Sequence, residues 1–262
     1  MHKRVQLLSN PRNGSTYMGN VLREYIAPVT KNIRNSLTQP PRFNFSNEPF
    51  RYGVHGERTV HLTDEYEFLR FGMDKIKQLD KVVVKNHAVH LMSLEKHNLI
   101  DEFKSLNFYT IVLLRKDIFE SSLSMTLSTI KGEWLNYKDF TRLEIPVPEY
   151  ERHLISMIKN SEDLIKNKFG IYYNEIIYFE DLKFWARHDF ANTKLCNVSK
   201  QSLKKIDMPN KVYKAPDKKE VVINYDELYE FALDYIPSIE QDFCKFDGTV
   251  MTDIKFNNPP QY

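Results

Sequence analysis

The chain has 262 residues, 42% of them hydrophobic and only 8 of them glycine, a length that suits one sizeable α/β domain or two small ones, of which one is the expectation. Thirty-seven Lys and Arg nearly cancel 35 Asp and Glu, and the net charge of +2 argues against a dedicated nucleic-acid binder, whose affinity comes from neutralised phosphates, while leaving room for a local basic patch. Cys196 and Cys244 match neither a disulfide framework nor a zinc pattern, and no apolar run approaches membrane-spanning length. Free thiols in a reducing compartment, and hence a soluble, cytoplasmic protein without a membrane span, are expected.

Val5 to Met18 reads as a strand, a loop and a helix start. The apolar run ends at Ser9-Asn10-Pro11, then come Arg12, Asn13 and Gly14, and Ser15 and Thr16 open a segment with Met18, Val21, Leu22, Tyr25 and Ile26 at helical spacing. Gly14, Ser15 and Thr16 therefore fall where unpaired backbone N–H groups collect, a ready place for an anion. An ordinary Ser/Thr-capped turn has the same composition. The ATP/GTP pattern G-x-x-x-x-G-K-[ST] is absent, because no lysine follows Gly14 and the basic residue, Arg12, precedes it.

Pro28 stops the first helix, and residues 37–63 form a long loop whose aromatics Phe43, Phe45, Phe50 and Tyr52 serve either as a substrate lid or as packing over the core. Asp64 caps a helix with Glu67 three residues on and Phe68, Gly72, Ile76 and Leu79 on its inner face. Lys81 to Val84 is a buried strand running into Lys85-Asn86-His87, and 91–104 reads as one helix. Phe108 to Leu114 is the strongest strand signal and leads directly to Arg115-Lys116-Asp117. Asp117 and Glu120 form a capping box for a helix closed by Gly132. That helix carries Ser121, Ser124 and Ser128 on the face of Asp117, with Phe119, Leu123, Leu127 and Ile130 opposite. Solvent faces prefer Glu and Lys, so a hydroxyl face beside Arg115 suggests a second anion site.

Residues 134–148 are irregular and aromatic, and Glu149 to Lys168 forms a long amphipathic helix. Tyr173 to Phe179 is a further strand, followed by Glu180 and Asp181 in the roles of cap and brace. Lys194 to Lys219 is lysine-rich without clear periodicity, Asn224 caps a last helix with Leu228, Phe231 and Tyr235 inward, and 250–262 is expected to be a loosely packed tail.

Three segments thus stand in order: strand, Pro-Arg-Asn-Gly-Ser-Thr-Tyr, helix; strand, Lys-Asn-His; strand, Arg-Lys-Asp, serine-bearing helix. Together they resemble the sulfotransferases that use 3′-phosphoadenosine 5′-phosphosulfate (PAPS). The resemblance covers roughly the first half of the chain and Tyr178 to Leu182, and it is to bacterial and viral members, with the K-x-H of the cytosolic branch added. It implies an α/β fold, a single domain with a P-loop-like central parallel β-sheet flanked by helices. By the same resemblance Arg12, Asn13, Gly14, Ser15, Thr16 and Tyr17 hold the 5′-phosphosulfate, and Arg115 or Lys116 with Ser124 holds the 3′-phosphate. Ser199 to Lys205, with Lys200, stands in for a missing C-terminal R-K-G loop. His87 matches the base, with Lys85 and Arg12 stabilising charge; His55, Glu57 and His90 are alternative bases. The pattern departs from the family in lacking the proline of R-x-P, and Ser124 lies nine residues after Arg115 and eight after Lys116.

The implied activity is transfer of a sulfuryl group from PAPS to a hydroxyl or amine, leaving 3′-phosphoadenosine 5′-phosphate (PAP), with no metal expected. The acceptor is a small molecule, carbohydrate, lipid or peptide, and the oligomeric state is not legible. Two other readings stand beside it: a P-loop-type nucleotide or small-molecule kinase, and a non-catalytic α/β module for a phosphorylated ligand.

Overall fold

The computed structural model describes residues 4–16, 18–19, 22, 49–50, 64–79, 82–132, 141–181, 217–239 and 241–257. Four parallel strands, β1 (Arg4–Ser9), β2 (Val82–Asn86), β3 (Tyr109–Leu114) and β4 (Glu175–Tyr178), lie side by side in the order β2-β1-β3-β4. Leu8 pairs with Asn86 on one side and Val112 on the other, and Leu114 with Tyr178. The strands read as near-continuous apolar runs because both faces are covered: Leu8, Val84, Val112 and Leu114 alternate with Leu7, Val83, Ile111 and Leu113, and all eight are buried. The order reverses at β1. The chain leaves β1 for β2 on one flank and later leaves β3 for β4 on the other, so the loops after β1 and β3 flank a crevice at the carboxyl edge, where open α/β sheets bind ligands.

Helix α1 (Glu65–Gln78) starts as its sequence predicts, with Asp64 Oδ1 accepting from Glu67 N at 3.0 Å and Phe68, Gly72 and Ile76 buried. At Gly72 a Cβ would stand 2.9 Å from Pro49 O and 3.1 Å from the Phe50 ring, so glycine alone lets this segment approach. Phe50 is thereby seated in the core, edge-on to Phe103, and among the loop aromatics it packs; Phe43, Phe45, Tyr52 and the rest of the expected lid lie outside the described residues.

The single helix expected over 91–104 is two, α2 (Ala88–Lys96) and α3 (Ile100–Ser105). Asn98 takes a left-handed φ of 56° between them, which asparagine tolerates, and this turns Leu99 into the core. Helix α4 (Ile118–Lys131) ends at Gly132 with φ 65° and packs on α5 (Val147–Ile165), which begins two residues before the expected Glu149 on the fixed φ of its prolines. Ile130, expected to face inward, is 43% exposed, whereas Ser121, Ser122, Ser124, Thr126 and Ser128 are buried.

The chain closes with α6 (Lys218–Val221), α7 (Tyr225–Ser238) and a hairpin of β5 (Lys245–Asp247) and β6 (Val250–Thr252). Asn224 stands at the N-cap of α7 but caps no helical N–H. Its amide instead accepts from Ile145 N and donates to Ile145 O, both at 2.9 Å, which ties 141–146 to the helix. The expected loose tail is corrected over 250–257: Met251 is buried, its N–H donates to Lys116 O at 2.9 Å, and Asn257 N donates to Ile165 O at 3.0 Å. Residues 258–262 lie outside the described residues. Cys244 is a free, buried thiol whose pKa burial pushes up to about 12, and Cys196 is not among the described residues. Among the described residues no helix is long and apolar enough to cross a membrane.

Candidate functional site

At the carboxyl end of β1 the chain turns through Pro11 and Arg12. Arg12 has φ 65° and Gly14 φ 76°, and a left-handed arginine costs of order 1–3 kcal/mol, which surrounding contacts must hold in place. Two left-handed residues with a single residue between them make a tight turn, the kind of backbone in which N–H groups form an anion-binding concavity. Helical residues follow from Ser15, with Met18 N donating to Gly14 O at 3.0 Å, so the first turn of this helix opens directly onto the loop. Asn10 anchors the turn from below, its Nδ2 donating to Ser161 Oγ of α5 at 2.9 Å.

The contact that joins two of the sequence segments is Arg12 Nε donating to Ser124 Oγ at 2.9 Å. Helix α4 explains why this serine differs from its neighbours. Ser121 and Ser122 donate to Ile118 O, Thr126 to Ser122 O and Ser128 to Ser124 O, so each of these hydroxyls spends its proton within its own helix. Ser124 Oγ makes no such bond among the described residues and is offered to the loop. Thr126 and Thr129 also hold the His153 ring, whose pKa burial lowers. The face read as hydroxyl-rich is therefore interior, and one member of it reaches the crevice.

The second segment meets the same loop. Lys85, on β2 beside Leu7, sends Nζ to Thr16 Oγ1 at 3.3 Å. His87 follows at the N-cap of α2, and its Nδ1 lies 2.7 Å from Ser9 O. A carbonyl only accepts, so Nδ1 carries the proton and Nε2 is the acceptor nitrogen of the neutral ring. His90, a rival base in the sequence, accepts from His87 N at its own Nδ1 over 3.2 Å, with the two ring centroids 5.2 Å apart. It is thus engaged in orienting the backbone of His87. The other rivals, His55 and Glu57, and the expected ligands Tyr17 and Lys200 lie outside the described residues.

The third segment separates two adjacent cations. Arg115 is partly buried, with its guanidinium carbon 4.5 Å from the Phe179 ring centroid and Nη2 3.5 Å from Glu120 Oε2. Burial lowers its pKa, and the charge of Arg12 contributes in the same direction, so the two guanidinium groups share one field. Lys116 turns the other way, with Nζ 4.1 Å from the Tyr178 ring centroid. Glu180 is a brace, as expected: its Oε1 accepts from Lys116 N at 3.0 Å and Asp117 N at 3.3 Å, which fixes the turn. Asp117 Oδ1 accepts from Glu120 N at 2.9 Å, but Glu120 does not return the bond of a capping box, because its carboxylate is used by Arg115, Lys218 and Tyr225.

Lys218 was not singled out by the sequence. Its Nζ donates to Glu120 O at 2.6 Å and to the Glu120 carboxylate, while its neighbour Lys219 is exposed. Nothing in Asp217-Lys218-Lys219-Glu220 distinguishes the two lysines before α6 is docked.

Several buried polar atoms near the carboxyl ends of β1 and β2 have no partner among the described residues: Ser9 Oγ, Asn10 Oδ1, Asn13 Oδ1, both amide atoms of Asn86 and, after β3, Arg115 Nε. Buried polar atoms are normally satisfied, so this concentration fits a site completed by ligand or water. Arg12, Lys85 and Arg115 supply positive charge from three strand ends, a donor set suited to a molecule with two anionic groups. Among the described residues no group of three or more His, Cys, Asp or Glu is placed to hold a metal ion. The chain matches no family model, and no curated protein is significantly similar to it.

Proposed function

We propose that the chain is a sulfotransferase that moves a sulfuryl group from PAPS to a hydroxyl or amine acceptor. The observation that carries this reading is the 2.9 Å contact of Arg12 with Ser124, which brings the loop after β1 to the helix after β3, as a nucleotide with phosphates at both 5′ and 3′ positions requires. The residues fit such a ligand: the left-handed turn at Arg12 and Gly14 and the first helical turn would hold the 5′ end, and Arg115 with Ser124 the 3′-phosphate.

PAPS, when bound, supplies an activated sulfuryl group on a phosphate leaving group. Sulfuryl transfer resembles phosphoryl transfer in depending on positioning and charge stabilisation more than on covalent chemistry. Arg12 and Lys85 provide that stabilisation, and Thr16 holds the lysine in place. His87, with Nδ1 committed to Ser9 O, takes the acceptor's proton at Nε2, a role worth about two to four orders of magnitude in rate.

The test is calorimetric titration with PAP in metal-free buffer beside ATP with Mg²⁺. Metal-free binding of PAP and weak binding of ATP are expected; binding of ATP with Mg²⁺ alone favours a kinase, and binding of neither overturns both.

A further inference from the structure

A half-buried cluster beside Arg115 has no place in the chemistry above. Glu120 of α4 is shared by three groups: Lys218 Nζ on Oε2 and on the backbone carbonyl, Tyr225 of α7 on Oε1 at 3.2 Å, and Arg115 Nη2 on Oε2 at the longer 3.5 Å. Two cations thus compete for one carboxylate oxygen, and Lys218 holds it more closely. Arg115, stacked on Phe179, keeps a buried Nε without a partner among the described residues. A guanidinium that is braced by an aromatic ring yet poorly paired retains its charge and its donors for something else.

We infer that Lys218 is a positioning residue for anion binding: by occupying the Glu120 carboxylate it prevents Glu120 from closing onto Arg115, and so leaves the Arg115 guanidinium available to an anionic group beside Arg12 and Ser124. The inference rests on the proposed function only in naming that group as the 3′-phosphate of PAP. Remove the ammonium, and Glu120 must satisfy its charge on Arg115, so an incoming anion has first to break a partly buried ion pair.

The position of Lys218 adds a signature that simple structural support lacks. Its ammonium faces Glu120, Arg115 and Asp117, and burial pulls its pKa down to about 8. An anion placed on Arg115 adds negative charge nearby and raises that pKa, so binding above pH 8 takes up a proton. As pH rises through about 8 the ammonium is lost, Glu120 turns to Arg115, and anion affinity falls.

The test compares wild type with K218M, K218R, E120Q and the E120Q/K218M double variant. Inorganic sulfate is followed by thermal stabilisation over a concentration series, and PAP by calorimetry in buffers of different ionisation enthalpy at pH 8.5. K218M is expected to bind both ligands on the order of tenfold more weakly, the loss of one hydrogen bond to a charged group. K218R should retain wild-type affinity, E120Q should bind at least as tightly as wild type, and the double variant should recover what K218M loses. Unchanged affinity in K218M, or no recovery in the double variant, overturns the inference. Should K218M fail to fold, E120Q decides, and weaker anion binding in it is the overturning result. If wild type and variants follow this pattern with sulfate while PAP does not bind, the positioning role stands and the sulfotransferase reading falls; if wild type binds neither ligand, both fall.

Discussion

Ser124→Ala isolates the contact on which the site is built. The substitution removes the acceptor of Arg12 Nε, a bond of 2.9 Å to a charged donor, and touches no other hydrogen bond of that hydroxyl among the described residues. Its effect on folding is small: alanine is the better helix former by up to roughly 0.7 kcal/mol, and Arg12 is only partly buried, so water can solvate its Nε. A hydrogen bond to a charged group is worth about 1.5–3 kcal/mol, which at about 1.4 kcal/mol per decade predicts a loss of roughly tenfold to 150-fold in PAP affinity. Part of that loss is the hydroxyl's own contact with the ligand and part is the freedom regained by Arg12. The assay is metal-free calorimetry with PAP, with a thermal melt to confirm the fold. Ser122→Ala is the control, because Ser122 is also buried on the same helix but spends its hydroxyl on Ile118 O at 2.7 Å. PAP affinity unchanged in Ser124→Ala, or reduced equally in Ser122→Ala, would refute the argument that Ser124 is the one hydroxyl offered to the crevice.

His87→Ala should lower the slow release of sulfate from PAPS to water by about two to four orders of magnitude while PAP affinity stays within about twofold; a full rate of release would remove His87 from the mechanism. Gly72→Ala places a Cβ 2.9 Å from Pro49 O and should cost about 1–3 kcal/mol, seen as a fall of roughly 2–12 °C in the melting temperature, and an unchanged melt would show that 49–50 yields easily. Glu65 is held down to about 2 by hydrogen bonds first from His97 and then from Lys96, against an ordinary value of 4.5. A carboxylate with a depressed folded pKa stabilises fully above its unfolded pKa and loses that contribution as pH falls through the folded one, so the window is about 4.5 down to 2. Glu65→Gln should therefore flatten the decline of stability across that window, and an identical acid-unfolding curve would deny the shift.

Local chemistry was legible wherever a residue's role depends on its neighbours in sequence. Val5, Leu7 and Leu8 are apolar because both faces of β1 are covered, Asp64 caps α1 three residues before Glu67, and Gly132 ends α4 in the left-handed region; each follows from sequence spacing alone. The basic and hydroxyl residues of the crevice were legible for the same reason, since Arg12, Lys85, His87 and Arg115 stand at or beside the carboxyl ends of strands, and parallel strands bring such ends to one edge. The parallel order β2-β1-β3-β4, by contrast, follows from pairings between strands separated by tens of residues, and only the assembled sheet decides which ends are neighbours.

What sequence could not decide was how neighbouring residues of the same type divide their work. Ser121, Ser122, Ser124 and Ser128 look alike along the chain, but only the packing of α4 against α5 and the loop after β1 leaves Ser124 to Arg12 and the others to their own helix. Arg115 and Lys116 are adjacent cations, and Phe179 and Tyr178 send one toward Glu120 and the other away. Lys218 and Lys219 differ only in which side of a single helical turn meets the core. Composition and spacing marked apolar strands that end in basic and hydroxyl-bearing residues. Which serine, which guanidinium and which lysine serve the carboxyl edge of the sheet was decided by tertiary structure, because burial and long-range hydrogen bonds act on side-chain position and not on residue type.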